Sequence, residues 1–139
     1  MSATTRSARP PNVEWVEWVE YAHLPEELLR AGCALGVFGT SAKTGRVIPN
    51  KAFQALACGT PLVTADTPAA RELLVDGESA LLVPAANPEA LAAAVRRLAG
   101  DAMLARRIGD GGLDAYRAQA SEAVLGERWR DLVEQLVAR

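Results

Sequence analysis

The sequence predicts an α/β fold: a Rossmann-like parallel sheet of about four strands with helices on its faces. Three observations carry that expectation. Short apolar runs, "ALGVF" (34–38), "PLVTA" (61–65) and "ALLV" (80–83), are continuous rather than alternating, as in strands covered on both sides. Helical stretches lie between them, and strand–helix–strand alternation is the mark of βαβ units. The helices are punctuated at both ends, with Pro49 opening one and Gly59 stopping it, and Asn87 and Pro88 opening another.

In chain order, "VEWVEWV" (13–19) alternates in part and is expected to be a strand. "LPEELLRAG" (24–32) is a short helix stopped by Gly32. The run 34–38 is the next strand, and a loop with Gly39, Ser41, Lys43 and Gly45 follows it. A helix spans 49–58, a strand 61–65 and a short helix 69–75. Asp76 and Gly77 turn the chain into the strand 80–83. Helices are then expected at 88–98, 101–109 and about 121–138. In the last, Leu125, Trp129, Leu132, Val133 and Leu136 mark one apolar face, with Trp129 expected in the core.

A chain of 139 residues fits one domain, here 13–139 behind a flexible Ser-, Thr-, Arg- and Pro-rich tail at 1–12. A net charge of −2 gives no electrostatic case for a nucleic-acid partner. No apolar run reaches the roughly 20 residues of a membrane span, and no secretory signal is legible in 1–12. Cys33 and Cys58 lack metal-type spacing and read as reduced thiols of a cytoplasmic protein.

Ligands of such sheets bind at the carboxyl ends of the strands, beside the helix starts that follow. The loop 39–48 leaves that edge, and the helix at Pro49 begins there. A helix start offers free N–H groups and a positive dipole end, which suit an anion. Lys43, Arg46 and Lys51 add charge. A phosphate or diphosphate is the candidate ligand; a solvated basic loop covering the sheet edge is the alternative. Other residues carry plainer readings. Glu72 caps or solvates a helix, and lone His23 has no visible partner and reads as surface. Trp15 and Trp18 fall on opposite strand faces, so one is expected in the core. Glu14, Glu17 and Glu20 swap faces and cannot form one acid–base pair. Asp66, at the carboxyl edge, faces a ligand or begins a turn.

The segment "PNKAFQALACGTPLVTADTPAARELLVDGESALLVPAANPEALAAAVRRLA" resembles the nucleotide-binding, C-terminal half of a GT-B glycosyltransferase of the group 1, retaining type. The shared motifs are Ala-Cys-Gly-x-Pro before an apolar strand, then Glu-Leu-Leu-x-Asp-Gly, Leu-Leu-Val-Pro and Asn-Pro-Glu-x-Leu. The resemblance implies a nucleotide-diphosphate sugar as donor substrate, with its diphosphate on the helix Pro49–Cys58, and transfer without metal or further cofactor. Together with the charged helix start, it points to donor-site residues Arg46, Val47, Ile48, Asn50, Lys51 and Gln54. Gln54 stands where the family has a glutamate that reaches the ribose, and Arg46 where a glutamate addresses the donor sugar. Glutamine still accepts a hydrogen bond; arginine does not. A complete enzyme of this type has a second, N-terminal domain for the acceptor, and this chain is expected to be a truncated form that is inactive in isolation. In the family sheet order, 3-2-1-4-5-6, strand 13–19 would be third and those at 34, 61 and 80 fourth to sixth. Strand 13–19 then either closes up beside 34–38 or leaves an edge for a second chain, and a homodimer is expected. The alternative function is a non-catalytic module that binds a nucleotide or a partner chain without turnover.

Overall fold

The computed structural model describes residues 10–138. The tail expected at 1–12 therefore lies, for residues 1–9, outside the described residues, and 10–12 form an exposed turn. A 3-10 turn at Tyr21–His23 leads into α1 (Leu24–Arg30). Then follow β1 (Ala34–Leu35), α2 (Asn50–Ala57), β2 (Leu62–Ala65), α3 (Pro68–Arg71) and β3 (Leu81–Val83). The chain ends in α4 (Pro88–Gly100), α5 (Ala102–Gln119) and α6 (Glu122–Val137). No helix among the described residues is long and apolar enough to cross a membrane.

The strands form one parallel sheet in the order β1-β2-β3. Ala34 pairs with Leu62, and Val63 with Leu81. All four residues of β2 are buried, as the central strand of a doubly covered sheet requires. Successive side chains alternate between two core layers. Leu62 points into a cluster with Ala52, Ala55, Leu56, Leu73 and Leu74, beneath α2 and α3. Val63, Leu81 and Val83 point into the opposite cluster with Ala94, Leu98, Leu104 and Ile108, from α4 and α5.

Among the described residues the sheet has three strands rather than about four, because 13–19 is not a strand. Each face of that segment carries a glutamate, Glu17 on one and Glu14 on the other, so neither face can be buried whole. Val13, Trp15, Val16 and Trp18 are all exposed; the expectation that one tryptophan enters the core fails. β1 stops early for a local reason. Backbone bonds to β2 go on past Leu35, from the Gly36 N–H to Val63 O at 2.8 Å and from the Ala65 N–H to Val37 O at 3.0 Å, but the register slips between them and the Val37 N–H turns to the Thr64 hydroxyl at 3.3 Å.

α5 runs through to Gln119, well past the expected stop at 109. Gly109, Gly111 and Gly112 break the periodic apolar pattern, yet they serve packing. A β-carbon at 109 would overlap the carbonyl oxygen of Gly59, and one at 111 that of Glu78. The glycines let α5 lie directly on the turns before β2 and β3, and burial overrides their poor helix propensity. α6 has the expected amphipathic face, but it is uncovered: Trp129 is 68% exposed and Leu136 71%. The placement of Trp129 in the core is thus corrected. Periodicity sets which face is apolar; none of Leu125, Trp129, Leu132, Val133 and Leu136 is buried.

Candidate functional site at the carboxyl edge of the sheet

The carboxyl ends of the strands open into three segments: 36–49 after β1, Asp66–Thr67 after β2, and 84–87 after β3. The first is braced by a serine–threonine turn. The Ser41 and Thr44 hydroxyls are 2.7 Å apart, the Thr44 N–H donates to Ser41 Oγ, and the Arg46 N–H donates to Lys43 O. The second and third are tied to the sheet. The Asp66 N–H donates to Val83 O at 2.7 Å, extending the β2–β3 ladder by one residue. The Ala86 N–H donates to Phe38 O at 2.9 Å, joining the ends of the two outer strands, with Ala86 in the left-handed region at φ 53°. Thr67 then caps α3 by accepting from the Ala70 N–H at 3.1 Å.

α2 starts one residue later than expected, with Pro49 as its N-cap. Proline has no side chain able to accept, and no other side chain caps this end. The Ala52 N–H donates to Pro49 O at 2.9 Å, which leaves the N–H groups of Asn50 and Lys51 available to an outside acceptor. Asn50 and Lys51 are exposed on this turn, and Arg46 and Val47 are exposed just before it. Ile48 turns inward and packs against the core under α2, so only its backbone faces the edge. Lys43, Arg46 and Lys51 form no ion pair with any described residue.

Gln54 lies one turn further along α2, about 6 Å in axial rise from Asn50. It is half-buried in a groove of about 240 Å³ between α1, α2 and α5, with Tyr21, Leu24, Phe53, Cys58 and Tyr116 among its walls. Phe53 also packs on the core beneath α2, and Leu56 is fully buried there, on the side that faces the sheet. Of the six expected site residues, Arg46, Val47, Asn50 and Lys51 thus meet at one edge. Ile48 contributes backbone alone, and Gln54 belongs to the adjoining apolar groove.

An ion pair at this edge was not legible beforehand. Arg71 grips Asp66 with two parallel bonds, Nε to Oδ1 at 2.6 Å and Nη2 to Oδ2 at 2.7 Å. The guanidinium holds the Asp66 carboxyl below the usual aspartate range, by hydrogen bonding first and by its charge second. α3, which carries Arg71, packs against the Thr44–Arg46 turn. The nearest sequence signal was Asp66 alone. Glu72 sits exposed at the end of α3 and His23 exposed before α1, as expected. Cys33 and Cys58 are free and half-buried, and burial pushes the Cys33 thiol up.

Comparisons to known proteins agree with the parallel α/β fold. A model of glycosyl transferases group 1 matches residues 2–101. An exopolysaccharide phosphotransferase of Streptomyces coelicolor is 31% identical over 118 residues, 84% of this chain and 12% of that protein. A phosphatidyl-myo-inositol mannosyltransferase of Mycobacterium leprae is 37% identical over 84 residues, 60% of this chain and 20% of that protein. The solved structure of a sucrose-phosphate synthase from Thermosynechococcus elongatus superposes with a TM-score of 0.61 at 30% identity, over 66% of this chain and 23% of that one. The chain spans between an eighth and a quarter of the length of these relatives. With the Rossmann-like parallel sheet and the family model covering most of its residues, the chain belongs to the group 1 glycosyltransferases.

Proposed function

We propose that this chain is the donor-binding part of a glycosyltransferase that moves a sugar from a nucleotide-diphosphate sugar to an acceptor. The observation that carries the reading is the uncapped start of α2 at the carboxyl edge, beside three cations that pair with no described residue. The diphosphate accepts from the backbone N–H groups of Val47, Ile48, Asn50 and Lys51 and lies near Arg46 and Lys51. The nucleoside extends along α2 into the groove, where Gln54 accepts from a ribose hydroxyl and Tyr21, Phe53 and Tyr116 offer aromatic surface. The same N–H groups and cations stabilise the charge that grows on the leaving diphosphate, the main electrostatic task of the transfer.

The acceptor requires a second wall over this edge, from an N-terminal acceptor-binding domain, a separate chain or a second copy. Without it, water is not excluded and the two substrates are not aligned. The 139-residue chain alone therefore binds donor without transferring sugar, in the cytoplasm where nucleotide sugars are supplied. A second reading, a module that binds nucleotide or a partner without turnover, is favoured by the exposed apolar residues Trp18, Trp129 and Leu136.

Calorimetric titration with UDP and GDP tests the proposal. The unaltered chain binds one of them. Lys51→Glu weakens that binding, and Gln54→Ala weakens it by about 0.5–1.5 kcal/mol, the net worth of one neutral hydrogen bond. No binding of either nucleotide overturns the donor-site reading. Sugar transfer by the isolated chain overturns the reading that it needs a second wall.

A further inference from the structure

We propose that Asp66, aligned by Arg71, is the hydroxyl acceptor for the sugar of the bound donor. This rests on the donor-site reading above and adds the residue that would select the sugar-bearing form over the bare nucleotide.

A hexose presents hydroxyl groups, and a site that prefers it needs strong acceptors beside the diphosphate. The charged side chains around this edge are nearly all donors: Lys43, Arg46, Lys51 and Arg71 have no acceptor atom. In the segments 39–51, 66–71 and 84–87 the single carboxylate is Asp66. Its backbone is fixed by the bond to Val83 O, so the side chain projects from the end of the central strand. The segments after β1 and β3 flank it, joined by the bond from the Ala86 N–H to Phe38 O. A carboxylate has about four lone-pair sites. The Arg71 fork occupies one on each oxygen and leaves the others free, with the side chain 35% exposed. The fork also sets the plane of the carboxylate, as a lysine could not. Arg71 itself stands on α3, which rests on the Thr44–Arg46 turn, so the pair and the anion-binding residues share one edge. Arg71 is thus a positioning residue and Asp66 the binding residue.

The test is the ratio of affinities for a nucleotide sugar and its bare nucleotide, measured by calorimetry with UDP against UDP-glucose and GDP against GDP-mannose. The unaltered chain prefers a sugar-bearing form. Asp66→Asn, which keeps the shape, lowers that preference about tenfold, the loss of one charge-assisted bond, with bare-nucleotide affinity held within about twofold. Arg71→Lys keeps the charge without the fork and lowers the preference by a smaller factor. In Arg71→Ala the pH below which the preference disappears moves upward, since the carboxyl loses the partner that keeps it ionised; a role confined to folding would not move it. Circular dichroism of each variant confirms the fold, and Asp66→Asn and Arg71→Lys give independent readings if one fails to fold. An unchanged preference in Asp66→Asn, equal loss for bare and sugar-bearing ligands, or no preference in the unaltered chain overturns this inference and leaves the donor site standing. Failure of the unaltered chain to bind any of the four ligands overturns both.

Discussion

Gly109→Ala and Gly111→Ala set intrinsic helix preference against tertiary packing. Both positions lie inside α5, where alanine is better than glycine by about 1 kcal/mol. Propensity alone makes both variants more stable. The structure makes them less stable, because each new β-carbon meets a backbone carbonyl, Gly59 O for 109 and Glu78 O for 111. Neither obstacle yields easily. Gly59 holds φ at 68° to end α2, and Glu78 lies in a turn closed by Gly77 N–H to Ala80 O at 2.9 Å and Ser79 N–H to Val75 O at 3.0 Å. Relief requires α5 to retreat, which uncovers Ile108, now fully buried against the sheet. Overpacking of this kind costs about 1–3 kcal/mol, so after the propensity gain each variant loses about 1 kcal/mol. Gly126 in α6 is the control, since a β-carbon there meets nothing within 4 Å. Gly126→Ala gains up to about 1 kcal/mol. Urea titration followed by circular dichroism at 222 nm reads the difference as midpoints displaced in opposite directions at constant slope. If Gly109→Ala and Gly111→Ala both rise with Gly126→Ala, the glycines are not there for close approach, and the account of α5 is wrong.

Ala86→Gly removes a left-handed alanine, which costs about 1–2 kcal/mol, against an entropy cost of about 0.5–1 kcal/mol, so thermal melting should rise slightly while Ala86→Val falls; a lower melting point for the glycine variant contradicts this. Leu56→Ala, at a fully buried site, loses about 2–5 kcal/mol in urea titration. Trp129→Ala, on the uncovered face of α6, changes stability by less than about 0.5 kcal/mol; a loss as large as that at Leu56 shows that the face is covered in solution. The Asp66 carboxyl is held below its unfolded value of about 3.9, so the stability from its pairing is complete above that pH and is lost as pH falls through the lowered folded value. Comparing urea midpoints at pH 6 and pH 3, Asp66→Asn should show a smaller acid loss than the unaltered chain; an identical loss removes the pair from the balance.

Much of this fold was readable because local signals and burial agree. Pro49, Gly59 and the apolar run at 61–65 mark α2 and β2 within a residue or so, and the continuous apolar character of 62–65 matches a strand buried on both faces. The failures have physical causes. Residues 13–19 have strand-forming residue types, yet a glutamate on each face denies them a buried side, and strand propensity without burial forms no ladder. The glycines of α5 look like a stop because propensity is local, whereas their partners, Gly59 and Glu78, are far away in sequence. The α6 stripe gave the right face and the wrong burial, since periodicity carries no information about what packs against it. At the site, the charged start of α2 was legible from Lys43, Arg46 and Lys51 beside Pro49. The inward turn of Ile48 and the place of Tyr116 in the groove depend on tertiary contacts. The Asp66–Arg71 pair spans five residues, a spacing that fits neither the helix nor the strand repeat, and it forms because Asp66 extends β2 while Arg71 ends α3.

The claim on which the rest depends is that the anion site lies at the start of α2. Amide chemical-shift mapping of the isotope-labelled chain during addition of UDP or GDP tests it most directly. The largest changes are expected at Arg46, Val47, Ile48, Asn50 and Lys51, with the side-chain amide of Gln54 following as the groove fills. Changes confined to 102–138, with the start of α2 unmoved, would contradict it.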